Sequence, residues 1–148
     1  MSESGHIIII EDHEGNRAAF KRALVRIGFQ VDAFEEAEPA LEFFREHRDV
    51  MLIITDLMLP GGMDGLDVVK TAKEIDPEVA ILMVTAHATV ETAVDAMKQG
   101  ANDYLTKPVN TFELRQRASA LVEKRMLASR LRTLPDRLTV ANLLKTTS

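Results

Sequence analysis

The sequence predicts an α/β fold in which a doubly wound, five-stranded parallel sheet carries helices on both faces. Strand-like and helix-like patterns alternate with short connections from residue 7 to about residue 130. Three of the strand-like runs, 7–10, 50–55 and 79–84, are apolar on both faces, which is typical of central strands in a parallel sheet. The strand order 2-1-3-4-5 is an assumption, because spacing alone does not establish it.

The first half of the chain supplies three of these strands. Strand 7–10 is followed by an apolar stripe at helical spacing, which Gly28 ends. Residues 29–34 mix polar and apolar side chains, as an edge strand does. A second helix starts near Pro39, a residue suited to a first helical turn, and leads into the central strand 50–55.

The second half continues the alternation. A glycine-rich loop at 60–65 opens a third helix, and strand 79–84 follows it. A fourth helix then ends at Gly100. Its apolar face consists of Val90, Ala93, Val94, Met97 and Ala101. After a short strand at 103–105, Asn110 and Glu113 have the spacing of a capping box and open a fifth helix.

Composition excludes several classes of protein. The chain has 148 residues and no cysteine, so it has neither disulfides nor a thiolate metal site. No apolar stretch approaches the roughly 20 residues of a membrane helix, and the amino terminus lacks a signal-peptide pattern, so we expect a cytoplasmic protein without membrane partners. Residues 1–114 contain 21 acidic and 10 basic side chains, a net charge of −11, which argues against direct nucleic-acid binding by this part.

Charged side chains follow the carboxyl ends of the predicted strands. Glu11 and Asp12 follow the first strand and Asp56 the third, a costly arrangement unless positive charge lies between them. Mg²⁺ (or Mn²⁺) suits such oxygen ligands and keeps waters that phosphoryl oxygens can replace. Lys107 adds a further positive charge and Thr85 a hydroxyl. An aspartate between a metal and a lysine can attack phosphorus, so these segments predict a phosphoryl site.

A set of residues in fixed order carries a family resemblance. The set consists of Glu11, Asp12, Asp56, Asp64, Gly65, Thr85, Ala86, Tyr104, Lys107 and Pro108. Over roughly residues 5–125 the chain resembles the receiver domains of two-component response regulators, most closely the enhancer-binding, nitrogen-control type. The resemblance implies a flavodoxin-like (βα)5 fold and a signalling module rather than an enzyme with external substrates.

The resemblance also implies roles for the acidic cluster. Asp56 would accept a phosphoryl group from a sensor histidine kinase. Asp12 would bind Mg²⁺ directly and Glu11 through water, with the backbone carbonyl of Met58 as a further ligand. Lys107 would contact a phosphoryl oxygen.

Switching would involve the fourth and fifth strands. By resemblance, Thr85 and the adjacent Ala86 would move toward the phosphoryl group, and Tyr104 would move into the space vacated. His87 is a candidate for tuning hydrolysis of the acyl phosphate. The fourth helix, fifth strand and fifth helix would form the surface that controls a partner, a dimer or an effector.

The sequence departs from the common pattern of the family in two places. The loop at 60–65 is one residue longer than is usual between its proline and Asp-Gly, so its path beside the metal is open. The first acid is Glu11, where aspartate is common. The bond between Lys107 and Pro108 is expected to be cis, as in this family.

The remaining histidines have structural rather than functional interpretations. His6 and His47 are expected to be solvated surface residues, and the neighbours of His13 predict a helix start.

The strongest enzymatic alternative is a phosphohydrolase of the haloacid dehalogenase type. That family has a second aspartate two residues after the nucleophile, where this chain has Met58.

The end of the chain is basic. Residues 115–148 contain 2 acidic and 8 basic side chains, a net charge of +6. We expect a receiver domain at 1–125 and a basic helical extension or linker at 126–148. The extension either packs on its own domain or forms a dimer seam from Leu127, Leu131, Leu134 and Leu138. Whether the chain is a stand-alone receiver or part of a transcriptional regulator is open.

Overall fold

Five strands alternate with five helices along residues 5–132, the part of the chain that this computed structural model describes. The strands are β1 (His6–Ile10), β2 (Gln30–Phe34), β3 (Val50–Thr55), β4 (Ala80–Thr85) and β5 (Asp103–Thr106). The helices are α1 (Glu14–Arg26), α2 (Ala37–Glu46), α3 (Gly65–Ile75), α4 (Val90–Gln99) and α5 (Thr111–Arg132). The predicted succession of elements is confirmed, with small differences at their ends.

The sheet is parallel throughout, and its order is β2-β1-β3-β4-β5. The assumed strand order is therefore confirmed. The winding direction reverses between β1 and β3, so the carboxyl ends of these two strands border the crevice where such sheets bind ligands. Ile10 is in register with Thr55, and the residues that follow them consequently lie at the same level of the sheet.

Each face of the sheet has its own core. Ile8 and Ile10 belong to a core shared with α2, α3 and α4, whereas Ile7 and Ile9 belong to one shared with α1 and α5. All four side chains are at most 1% exposed. Burial of each contributes about 1.5–3 kcal/mol. Helices on both faces explain why β1 is apolar without interruption.

The fourth helix packs differently. Of its residues only Ala96 is buried. Val90, Val94 and Met97 are 81%, 44% and 47% exposed. Three of the five side chains predicted on this apolar face are therefore exposed, whereas Ala101 is buried and α4 itself contacts the core through the small Ala96.

The prediction that His6 and His47 are solvated surface residues is wrong. His6 is buried at the start of β1, where its Nε2 lies 2.7 Å from Asp32 Oδ2 and its Nδ1 lies 3.0 Å from Asp49 Oδ2. His47 is half-buried, and its ring stacks on Phe43 with 3.8 Å between centroids. Tertiary partners thus satisfy the ring of His6, whereas His47 is satisfied locally, since its Nδ1 lies 2.9 Å from the Phe43 carbonyl oxygen one helical turn earlier.

The fifth helix runs past residue 125 without a break and is described to Arg132. Leu127 and Leu131 are 50% and 64% exposed on it. Leu134 and Leu138, the other members of the predicted seam, lie outside the described residues, so the seam and the domain boundary stay predictions. Within residues 5–132, no helix combines the length and apolarity that crossing a membrane requires.

The start of α5 has the predicted cap at Asn110 but not the predicted capping box with Glu113. Asn110 caps the helix, since its Oδ1 accepts hydrogen bonds from the backbone N–H of Phe112 (2.7 Å) and of Glu113 (3.4 Å). The Glu113 carboxylate lies 3.3 Å from Arg117 Nη2 instead of completing a capping box. An ion pair with the next turn therefore replaces the reciprocal cap.

Candidate functional site: an acidic cluster with one lysine

Three carboxylates meet at the carboxyl edge of the sheet. Glu11 and Asp12 follow β1, and Asp56 follows β3. One carboxylate oxygen of each lies within 4.8 Å of the others. Glu11 and Asp56 are only 2% and 6% exposed, whereas Asp12 is exposed. The structure thus brings together the three acids that the sequence places on separate segments.

Lys107 supplies the opposite charge. Its Nζ lies 2.7 Å from Asp56 Oδ2 and 2.7 Å from Glu11 Oε1. Burial by itself would lower the pKa of the Lys107 ammonium, but the hydrogen bonds and negative charges of Asp56 and Glu11 outweigh it and hold this pKa above its ordinary value. Lys107 is therefore an ammonium at neutral pH. The peptide bond between Lys107 and Pro108 is cis.

The donor set fits a hard divalent cation. The three carboxylates and the single ammonium leave an excess of negative charge, which a second cation would offset. Carboxylate oxygens without sulfur ligands suit Mg²⁺ or Mn²⁺. The exposure of Asp12 gives water and an ion access to one side of the cluster.

The loop after β3 orients Asp56. The backbone N–H of Met58 donates to Asp56 Oδ1 at 3.2 Å, and Thr55 Oγ1 donates to the Asp56 carbonyl at 2.9 Å. The Met58 peptide is thus beside the carboxylate, while its side chain is 56% exposed. Lys107 and the loop therefore contact different carboxylate oxygens of Asp56, Oδ2 and Oδ1 respectively.

Gly65 allows the first turn of α3 to pack directly on this strand end. Its N–H donates to the Leu57 carbonyl at 2.8 Å, and a Cβ at this position would lie only 2.3 Å from the Asp56 carbonyl oxygen. Asp64 caps the helix in a reciprocal capping box with Asp67. The Asp-Gly pair therefore starts α3 and permits its close approach to the site.

The residues predicted to switch lie on β4, β5 and the loop after β4. Thr85 is fully buried, and its Oγ1 accepts a hydrogen bond from the His87 backbone N–H at 3.1 Å. Ala86 and His87 are exposed. Tyr104 is half-buried, and its hydroxyl lies 3.1 Å from Thr92 Oγ1 on α4. The backbone of His87, rather than its ring, is what contacts Thr85.

Arg17 is a residue of this region that the sequence did not single out. Its Nη1 donates to the carbonyls of Glu11 (2.9 Å) and Asp12 (3.3 Å), fixing the backbone that carries both acids. His13 caps α1 by accepting from the Asn16 N–H at 3.0 Å, which confirms the predicted helix start. The sequence did contain a signal for Arg17, namely a basic residue one turn into the helix that follows an acidic pair.

Comparison with known proteins decides the family. Residues 7–119 match the family model of the response regulator receiver domain. The chain belongs to this family. The receiver is 36% identical over 134 residues to the alginate biosynthesis transcriptional regulatory protein AlgB of Pseudomonas aeruginosa, covering 90% of this chain and 29% of AlgB. It is also 36% identical over 123 residues to the DNA-binding transcriptional regulator NtrC of Proteus hauseri, covering 82% of this chain and 24% of NtrC.

Solved structures agree with this assignment. NtrX from Brucella abortus superposes on the receiver with a TM-score of 0.80 and 26% identity, covering 97% of this chain and 33% of NtrX. The beryllofluoride-activated receiver domain dimer of NtrC4 superposes with a TM-score of 0.76 and 25% identity, covering 81% of this chain and 98% of that one. The receiver is thus homologous to receivers of enhancer-binding regulators, and it spans about a third of NtrX and less than a third of AlgB and NtrC.

Proposed function

We propose that this receiver accepts a phosphoryl group on Asp56 from the phosphohistidine of a cognate sensor histidine kinase, in a reaction that needs Mg²⁺. The observation that carries the proposal is the placement of Lys107 Nζ 2.7 Å from Asp56 Oδ2, beside a cluster of three carboxylates. In the transfer, a carboxylate oxygen of Asp56 attacks phosphorus. The P–O bond forms as the P–N bond breaks, the imidazole takes the electron pair of the P–N bond, and solvent supplies the proton that neutralises it.

The acidic cluster would hold the metal ion. Glu11, Asp12 and Asp56 offer carboxylate oxygens, and the backbone carbonyl of Met58 is a further candidate ligand. Bound Mg²⁺ (or Mn²⁺) would supply positive charge to the phosphoryl oxygens. Lys107, already beside Asp56, neutralises charge on the other side and contacts a phosphoryl oxygen.

Phosphorylation would then shift a two-state equilibrium. Thr85 and Ala86 would move toward the phosphoryl group, and Tyr104 would follow. Thr85 ends β4 and Tyr104 lies on the adjacent strand β5, which supports a coupled movement of the two residues. The exposed ring of His87 would tune hydrolysis of the acyl phosphate from the edge of the site.

The surface formed by α4, β5 and α5 is the proposed partner or dimer surface. Its exposed Val90, Val94 and Met97 would be covered in a complex. The beryllofluoride-activated receiver domain of NtrC4 is a dimer, which supports a homodimer of this receiver. A dimer through the C-terminal helix, by way of the exposed Leu127 and Leu131, is the alternative.

The process that the receiver controls is proposed from the relatives alone. AlgB and NtrC are transcriptional regulators more than three times as long as the matched segment, so we place this chain as the receiver part of a cytoplasmic transcriptional regulator. Direct nucleic-acid binding is not part of the proposal for this domain. A stand-alone receiver that acts through protein contacts is the second candidate.

The test is incubation with a small phosphodonor and Mg²⁺, followed by intact-mass analysis. We expect one phosphoryl adduct that is absent without divalent metal and absent in Asp56→Asn. Asp95→Asn, which changes an exposed acid on α4, is the matched control and should keep the adduct. An adduct that persists in Asp56→Asn refutes the proposal, and steady turnover of diverse phosphate esters would favour a haloacid dehalogenase-like phosphohydrolase instead.

A further inference from the structure

A chain of hydrogen bonds connects the buried Thr85 to Tyr104 through the start of α4. The His87 N–H donates to Thr85 Oγ1 (3.1 Å), and the carbonyl of the same His87 accepts from Thr92 Oγ1 (3.2 Å). Thr92 Oγ1 in turn lies 3.1 Å from the Tyr104 hydroxyl. The backbone of one loop residue, His87, and one threonine thus join the two residues proposed to switch.

Proton accounting limits the partners that the Thr92 hydroxyl can have at one time. Thr92 Oγ1 accepts from the Thr89 N–H (2.9 Å), which can only donate. Its single proton is directed to the carbonyl of His87 or of Thr89, at 3.2 and 3.1 Å. With that proton on a carbonyl, one lone pair of Thr92 Oγ1 remains, and the Tyr104 and Thr89 hydroxyls, each at 3.1 Å, compete to donate to it.

We infer that Thr92 is a positioning residue that holds Tyr104 in the resting state of the receiver. When Thr85 turns toward a phosphoryl group, the His87 N–H loses its acceptor. The loop that leads into α4 is then free to shift. Because Thr92 lies on α4 and Tyr104 on β5, a shift between these elements breaks their hydrogen bond. The inference rests on the proposed function and assigns the contact that opposes switching.

Loss of this contact should raise the apparent affinity for beryllofluoride, which general damage to the fold would not do. If beryllofluoride with Mg²⁺ binds the switched state better, then weakening the resting state raises the apparent affinity for it. One net hydrogen bond corresponds to an equilibrium factor of about two- to tenfold. Thr92→Val and Tyr104→Phe should each raise the affinity by about this factor, and Thr92→Ser should retain the wild-type value.

The two variants complement each other. Thr92→Val also removes the acceptor of the Thr89 N–H and so weakens the cap of α4, whereas Tyr104→Phe leaves that cap intact. Because both remove the same contact, the double variant should bind beryllofluoride no more tightly than the better single variant. Thr71→Val, a half-buried threonine on α3, is the matched control and should bind as the wild type does.

The experiment is a titration of the 148-residue chain with beryllofluoride and Mg²⁺, followed by amide NMR shifts. Tyr104 is the sole tyrosine and the chain has no tryptophan, so intrinsic fluorescence adds a signal specific to this ring in the Thr92 variants. A wild type that does not respond overturns the proposed function and this inference with it. A responding wild type with variants that bind equally, more weakly or additively overturns the role of Thr92 alone.

Discussion

Lys107 joins two carboxylates that would otherwise face each other in a buried crevice. Glu11 and Asp56 are nearly inaccessible to solvent, and the Lys107 ammonium is 2.7 Å from each. A buried carboxylate without a partner costs several kcal/mol, so in the absence of metal the lysine stabilises the folded site as well as serving the proposed chemistry.

We expect Lys107→Met to lower the free energy of unfolding by about 3–5 kcal/mol at neutral pH without divalent metal, because it leaves two buried charges unpaired. Urea denaturation measures this change. Lys98→Met, which alters an exposed lysine on α4, should stay within about 0.5 kcal/mol of the wild type. Equal effects of the two substitutions would contradict this account of Lys107.

The pH dependence of this contribution follows from the raised pKa of Lys107. Its stabilisation is fully present below the pKa of an unfolded lysine, about 10.4, and is lost as the pH rises through the higher pKa of the folded state. The difference in unfolding free energy between wild type and Lys107→Met should therefore be constant up to about pH 10 and shrink above it. A difference that shrinks between pH 6 and 8 would show that another group controls it.

His6 shows where residue-level prediction fails. Its polar partners, Asp32 and Asp49, are 26 and 43 residues away along the chain. Burial by itself would raise the pKa of Asp49, but the hydrogen bond and charge of His6 dominate and lower it. No local pattern around His6 announces these partners, because they come from β2 and from the turn before β3.

At the scale of elements, the start of α3 illustrates a glycine whose importance is steric. Gly65 lies where an added Cβ would overlap the Asp56 carbonyl oxygen, so α3 can approach β3 only without a side chain there. The sequence indicated the Asp-Gly pair by resemblance, and the structure supplies the physical reason for it.

Gly65→Ala should push α3 away from the strand end and lower the free energy of unfolding by about 1–3 kcal/mol, the usual range for forced overpacking. Gly62→Ala in the same loop is the matched control, since its Cβ would meet only the Glu38 side chain at 3.8 Å. Chemical denaturation of the two variants checks the difference, and a Gly62 variant that is destabilised as much would refute the steric explanation.

The fourth helix separates what periodicity predicts from what it does not. Helical spacing correctly places Val90, Val94 and Met97 close together, yet these residues are exposed. Periodicity predicts a shared face, but only the neighbouring elements decide whether that face meets the core. Here the core takes Ala96, which leaves the larger side chains exposed to solvent.

For the whole molecule, metal binding should appear as added stability. A ligand that binds only the folded state raises the free energy of unfolding by about 2.7 kcal/mol when present at 100 times its Kd. Thermal denaturation with and without Mg²⁺ should show this increase for the wild type and little of it for Asp12→Asn. Asp95→Asn should respond as the wild type does. An unchanged response of Asp12→Asn would exclude Asp12 as a ligand.

By itself, the sequence determined the alternation of strands and helices and the members of the acidic site, whereas the strand order was an assumption that the structure confirmed. Buried parallel strands are apolar on both faces, and ligands bind at their carboxyl ends. Both features are therefore visible in short stretches of sequence, such as the apolar run 7–10 followed by Glu11 and Asp12. Tertiary structure alone decided the burial of His6, the exposed face of α4 and the link from Thr85 through Thr92 to Tyr104. These depend on distances between side chains far apart in the chain, which strand and helix periodicity do not encode.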